Sequence, residues 1–143
     1  MADTKQVLDE AVAAFNAHDE QRFRAFYAED AVFEAPGDVR FEDADSIVGY
    51  AMAWLNAFPD AQLKIHNEII LGEWGVHQFT FEGTHEDTLS GPGGDIPATH
   101  KRLVGRGIEM FRVVDGKVTE DYLYFDQVQV LTQLGLMPEP ATA

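Results

Sequence analysis

The chain has 143 residues, 45% of them apolar and 24% charged, with no cysteine and a formal charge of −15 at neutral pH. That is the length of one domain with one core, and the lack of cysteine excludes a disulfide framework, a thiolate metal site and a cysteine nucleophile. So acidic a surface repels phosphate backbones and anionic lipid, which argues against nucleic-acid and membrane partners. No apolar run reaches the roughly 20 residues of a membrane span, and Met1 to Lys5 lacks the basic start and apolar middle of a leader. The expected compartment is the cytoplasm.

Val7, Leu8, Ala11, Val12 and Phe15 recur at helical spacing and predict an amphipathic helix over 4–17. Asn16 to Asp19 breaks it, and Asp19 is placed to cap a short second helix carrying Phe23, Phe26 and Tyr27. Ala31 to Ala35 reads as a short strand stopped by Pro36-Gly37. A third helix carries Ile47, Tyr50, Ala51, Trp54 and Leu55 on one face and ends before Phe58-Pro59-Asp60. Beyond residue 60 the period changes to two, predicting long strands at 62–71, 74–84, 101–114 and 117–127. Asp115-Gly116 between the last two is a strong two-residue hairpin signal. A short helix from Val128 to Leu134 stops at Gly135 with Pro138 beyond, and 139–143 form a tail. Glu86 to Thr99, with Ser90 to Gly94 inside it, reads as a long irregular loop and a mobile lid. Helices followed by a long antiparallel sheet make an α+β fold. The expected form is a cone-shaped α+β barrel in which three N-terminal helices pack on a strongly curved antiparallel sheet that encloses a pocket.

Residues Tyr27 to Phe33, Phe58-Pro59-Asp60, Phe81 to His85, Asp115 to Glu120, Asp126 and Gln133-Leu134-Gly135 together resemble the SnoaL-like polyketide cyclases. These ester cyclases belong to the ketosteroid-isomerase or nuclear-transport-factor-2-like superfamily. The resemblance covers nearly the whole chain. It implies a cofactor-independent enzyme that closes a ring by intramolecular aldol chemistry on an apolar small molecule, and it implies that Asp126 is the acid/base. The chain departs from the family pattern at Glu86-Asp87, at Pro97 to His100 and at Arg112, where some relatives carry histidine.

Counting back from the Asp-Gly turn puts Val118, Glu120, Tyr122, Tyr124 and Asp126 on one face. Two tyrosines would then desolvate Asp126 and raise its pKa toward acid–base use. The competing role is a helix cap for the segment from Val128. His85, or another pocket donor, is the expected stabiliser of an enolate, and His85 and His100 flank the lid, where they could meet across the cone's mouth. His77 alternates with Phe79 and Phe81 and points inward, where a hydrogen-bonded core role competes with a pocket role. Phe15, Trp54, Tyr122 and Tyr124 complete the expected pocket, with Tyr50 and Phe58 beside them. His18 falls in a turn and His66 on the polar side of its strand. No histidine spacing matches a metal pair, so no metal is expected. Gly91, Gly93 and Gly94 lack the Lys-Ser/Thr and helix of a phosphate loop, and no Gly-x-Ser-x-Gly element is present. Ile108, Met110, Leu123 and Phe125 are expected on the outer sheet face, where a homodimer or homotetramer would bury them. Other readings on the same fold are an isomerase, a dehydratase, an epoxide hydrolase or a non-enzymatic binding module.

Overall fold

A computed structural model of the chain describes residues 3–91 and 93–137. Met1, Ala2, Pro92, Pro138 and the expected tail at 139–143 lie outside the described residues. Helix α1 (Thr4–Asn16) is capped by Asp3 and buries Val7, Leu8, Ala11 and Ala14 along the stripe that its periodicity set. Helix α2 (Glu20–Arg24) is capped by Asp19 and buries Phe23. Strand β1 (Tyr27–Ala35) starts earlier than expected. It turns at Gly37, whose φ of 88° suits glycine, into a short β2 (Val39–Phe41) that alternation over three residues is too brief to reveal. Helix α3 (Ala44–Ala57) is capped by Asp43.

Strands β3 (Gln62–Leu71) and β4 (Trp74–Thr84) fall where the alternation placed them. Two short strands, β5 (Leu89–Gly91) and β6 (Gly94–Ile96), pair antiparallel within the expected loop. That segment is therefore a hairpin, and Leu89 pins it by burial in the core beside Leu55 and Phe58. The backbone N–H groups of Glu86 and Asp87 also donate to Ala57 O at the end of α3. Strands β7 (Arg102–Val114) and β8 (Lys117–Phe125) then form the long hairpin over Asp115-Gly116. Both turn residues have positive φ, 52° and 77°, as a type I′ turn requires. Helix α4 (Gln127–Gln133) closes the described chain. Among the described residues no helix is long and apolar enough to cross a membrane.

The main sheet has six strands in the order β2-β1-β8-β7-β4-β3. It is mixed, which corrects the expected all-antiparallel sheet: β1 runs parallel to β8. The long crossover through α3 and four sheet strands brings β8 back in the direction of β1, and only such a crossover can join parallel neighbours. The sheet also ends in two free edges, β2 and β3, so it is open. The helices are interleaved with strands, since β1 and β2 come between α2 and α3.

Two bulges decide which side chains face inward. In the β3–β4 pair the register skips at His66. In the β7–β8 pair Arg112 faces Glu120 while the next partner pair is Val113 and Val118, leaving Thr119 extra. An extra residue reverses the side-chain parity of everything beyond it. Val118 is inward before the bulge, and Asp121, Leu123 and Phe125 are inward after it. This corrects the expected faces. Tyr122 and Tyr124 lie outside, paired with Met110 and Ile108, while Leu123 and Phe125 belong to the interior.

Candidate functional site

Between α1, α3 and the inner sheet face lies a cavity of about 120 Å³, room for several water molecules. Its walls are largely aromatic: Phe15 from α1, Tyr50 and Trp54 from α3, and Phe79, Phe81, Phe111 and Phe125 from the sheet. The rings meet mostly edge to face, with Trp54 5.7 Å from Phe81 and 5.7 Å from Phe125, the geometry that ring quadrupoles favour. Gly107 lets Phe79 lie flat on the sheet, because a Cβ there would stand 2.5 Å from Phe79 Cζ.

Six polar side chains interrupt this apolar surface: Tyr27, Tyr50, His77, Arg106, Glu109 and Asp121. Asp121 is 1% exposed. The Tyr27 hydroxyl donates to its Oδ2 at 2.7 Å. Glu109 sits two residues along β7 from Phe111, the partner of Asp121, so the two carboxyls are diagonal neighbours on one face. Burial pushes Glu109 well above the usual carboxylate range, and the nearby charge of Asp121 pushes the same way. Burial also raises Asp121, but hydrogen bonds from Glu109 and Tyr27 oppose that rise. Two like charges so close cannot both stay ionised in such a site. One proton shared by the pair is the arrangement this burial favours, and the stronger upward push falls on Glu109. Burial lifts the Tyr50 phenol to about 12, so it too is a donor at neutral pH.

His77 is 2% exposed, lines the cavity, and places Nε2 2.7 Å from Glu68 Oε2. Its ring meets Phe111 edge to face at 5.4 Å. The Lys5 ammonium donates to Glu68 at 3.0 Å and to Asp9 at 2.6 Å. Burial works to raise Glu68, and hydrogen bonds involving Asp9, Lys5 and His77 outweigh it, so that carboxylate is held low. Asp9, Glu68 and His77 bring three potential metal-ligand atoms within 4.8 Å of one another. Sequence spacing could not show this cluster, because its members come from α1, β3 and β4. The Lys5 ammonium already supplies a cation there.

The other expected site residues are dispersed. Trp54, Phe15 and His77 line the cavity. Tyr124 is 60% exposed on the outer face, and Tyr122 donates there to Glu120 Oε1 at 2.7 Å. Asp126 is exposed beyond the end of β8, and its Oδ1 accepts from Val128 N at 2.9 Å and Gln129 N at 3.1 Å, capping α4. His85 is fully buried outside the cavity, stacked 5.0 Å from Phe58, with Nδ1 held by Thr99 Oγ1 at 3.0 Å. Its Nε2 has no partner among the described residues, and desolvation lowers its pKa. His100 is exposed in left-handed backbone, φ 59°, with Nδ1 3.6 Å from Glu86. The expected meeting of His85 and His100 is limited to the backbone, where His100 N donates to His85 O. His18 and His66 bind Ala61 O and Thr80 Oγ1, each at 3.0 Å.

Comparison with known proteins agrees with this geometry. The family model described as SnoaL-like polyketide cyclase matches residues 5–134. AclR of Streptomyces galilaeus, a candidate hydroxylase, is 28% identical with a TM-score of 0.79, over 96% of this chain and 84% of that one. IdmH of Streptomyces antibioticus, a candidate polyketide cyclase, is 25% identical with a TM-score of 0.77, over 92% of this chain and 98% of its own. A ketosteroid isomerase-like protein from Catenulispora acidiphila, seen with trimethylamine, is 14% identical with a TM-score of 0.76, covering 97% and 99%, and shares the fold. Comparison with curated proteins returned no match.

Proposed function

We propose, from the premise that the chain belongs to the SnoaL-like polyketide cyclase family, that it closes a ring by intramolecular aldol-type condensation. The observation that supports this most is the pairing of buried Asp121 with half-buried Glu109 on the wall of an aromatic cavity. Asp121 takes the proton from the carbon alpha to one carbonyl. The enolate carbon attacks a second carbonyl of the same chain, and the proton on Glu109 passes to the oxygen that gains charge. The pair ends with one proton, as it began, so the chemistry needs no cofactor. Aromatic walls hold a planar, folded chain with its two reacting carbons together, which is the largest entropic contribution such a site can make. Tyr27 keeps Asp121 oriented by donating to Oδ2. The apolar lining also matches an apolar small molecule as the partner.

The test is turnover of poly-β-keto esters of graded length, with products identified by mass and by ring structure. Asp121→Asn and Glu109→Gln should each lower turnover by about 10²–10⁴-fold, the usual worth of general acid–base catalysis. Asp126→Asn should leave it near the wild-type rate. Full turnover in Asp121→Asn with loss in Asp126→Asn would move the acid/base to the capping aspartate. Absence of ring closure by the wild-type chain on every ester would sink the cyclase reading. A shifted double bond as the only product would make the chain an isomerase.

A further inference from the structure

Across the inner face of the sheet, strand register sets polar side chains in one row. Glu68 on β3 is the register partner of His77 on β4, and His77 is the register partner of Glu109 on β7. Directly opposed residues on one face have Cβ atoms about 4.5–5.5 Å apart, within reach of long side chains directly or through one water. Glu109 adjoins Asp121, and Asp121 accepts from Tyr27. At the other end Glu68 meets Lys5, which meets Asp9. Side-chain exposure falls along this row, from 62% at Lys5 and 47% at Asp9 to 16% at Glu68 and 2% at His77. The row thus leads from solvent, past the edge strand, to the carboxyl pair under the cavity.

We propose that Glu68 and His77 form a proton relay between solvent at the Lys5–Asp9 ion pair and the buried Glu109–Asp121 pair. The proposal rests on reading that pair as the proton-carrying group of the site. Imidazole suits the task because it takes a proton at one ring nitrogen while releasing one from the other. On release, Glu109 gives its proton to Nδ1 of His77, the proton on Nε2 passes to Glu68, and Glu68 gives it to water. Uptake runs the same steps in reverse, and no heavy-atom bond changes. The ionisable groups around His77 are Lys5 and Asp9 from α1, Glu68 from β3, Glu109 from β7 and Asp121 from β8, with Tyr27, Tyr50 and Arg106 also lining the cavity. A side route has a physical purpose here. An apolar substrate filling an aromatic cavity excludes water from its mouth, so a path through the wall is what keeps the pair's one proton in equilibrium with solvent. The relay residues position and supply protons and need not touch substrate.

The measurement is proton–deuteron exchange of the buried protonated carboxyl, followed by its carbonyl stretch in stopped-flow infrared after dilution into heavy water. It uses the whole chain and no substrate. Glu68→Gln and His77→Gln should each slow exchange by about 10²-fold, the lower end of what positioned proton transfer contributes, and Glu68→Asp should restore most of the rate. Wild-type exchange in folded Glu68→Gln would overturn the relay, and that partly exposed position decides the matter if His77→Gln fails to fold. Turnover by Asp121→Asn is read separately. Lost turnover there with unchanged exchange in Glu68→Gln refutes the relay alone, and slowed exchange with full turnover in Asp121→Asn refutes only the cyclase site.

Discussion

Tyr27 Oη donates to Asp121 Oδ2 at 2.7 Å, joining side chains 94 residues apart across the parallel β1–β8 pair. No N–H or hydroxyl reaches Asp121 Oδ1 among the described residues, and the Glu109 carboxyl is its diagonal neighbour on the same face. The first strand therefore helps set the protonation of a carboxyl on the last strand. Burial first, and then the negative charge of the Asp121–Glu109 pair, push the Tyr27 phenol up, which keeps it a donor.

Tyr27→Phe should keep the ring contact with Phe23, 5.3 Å away, and remove only the donor. An unpaired buried acceptor costs about 1–3 kcal/mol. Urea unfolding should show a loss of that size, and carbon-labelled Asp121 should titrate higher than in the wild type. Unchanged stability together with an unchanged titration would show that the hydroxyl does not support Asp121.

Glu109→Gln is expected to stabilise the fold at neutral pH while disabling the site. Burial raises the Glu109 pKa above its value in the unfolded chain, so the unfolded state gives up its proton first as pH rises. Stability from this group is complete below the unfolded value and declines as pH climbs toward the folded one. Glutamine fills nearly the same volume, donates to Asp121 and removes that decline. The variant should exceed the wild type by about 1–3 kcal/mol near pH 7 and match it near pH 4. Melting curves at the two pH values check it, and an equal gap at both would contradict the linkage.

Much of this site was legible in principle, and one residue hid the rest. The alternation of β3, β4, β7 and β8 reads directly from the sequence, as does the cap Asp19. Glu109 alternates with Phe111 and Val113 on an inward face, so an acid in an apolar row was the available signal for it. Asp121 could not be found the same way. Counting from the Asp115-Gly116 turn assumes a regular ladder, and the extra Thr119 reverses the parity. That reversal put Tyr122, Tyr124 and Asp126 inside when Asp121, Leu123 and Phe125 are inside. Bulges arise from local strand pairing and twist, which a period of two does not encode. The Tyr27 contact and the β1–β8 pairing depend on a crossover spanning most of the chain.

His85 predicts an acid-sensitive fold. Desolvation lowers its pKa from the ordinary 6.5, so the unfolded chain takes up the proton first as pH falls. Its contribution is complete above the unfolded value and lost as pH drops through it toward the folded one. His85→Phe keeps a ring on Phe58 and gives up the Thr99 contacts, at about 1 kcal/mol. Its stability should then change less than that of the wild type between about pH 8 and pH 5. Parallel urea midpoints would show otherwise.

The convex sheet face carries Ile69, Ile108 and Tyr124, exposed by 65%, 41% and 60%. Val76, Met110 and Tyr122 stand beside them in the register of β3, β4, β7 and β8. Apolar patches that span several strands are uncommon on monomers. Light scattering at micromolar concentration should therefore find a dimer or tetramer, and Ile108→Lys should shift it toward monomer. A wild-type monomer at that concentration would rule this out.

Asp126 separates two roles by a pair of substitutions. Its Oδ1 accepts from Val128 N and Gln129 N at the start of α4. Helix α4 in turn fixes the β7 edge through Gln133, whose Oε1 accepts from Val104 N at 2.7 Å and whose Nε2 donates to Val104 O at 3.1 Å. Gln129 Oε1 likewise accepts from Arg106 N at 3.0 Å. Losing the cap would loosen a helix that buries Val130 and Leu134 against Leu103. Asparagine caps about as well as aspartate, whereas alanine cannot, so Asp126→Ala should cost about 1 kcal/mol and Asp126→Asn a few tenths at most. Turnover should follow the same order, nearly unchanged in Asp126→Asn and only modestly lower in Asp126→Ala. A folded Asp126→Asn chain with turnover reduced by about 10²-fold or more would mean that the carboxyl carries a proton as well as the cap, and the assignment to Glu109 and Asp121 would have to give way.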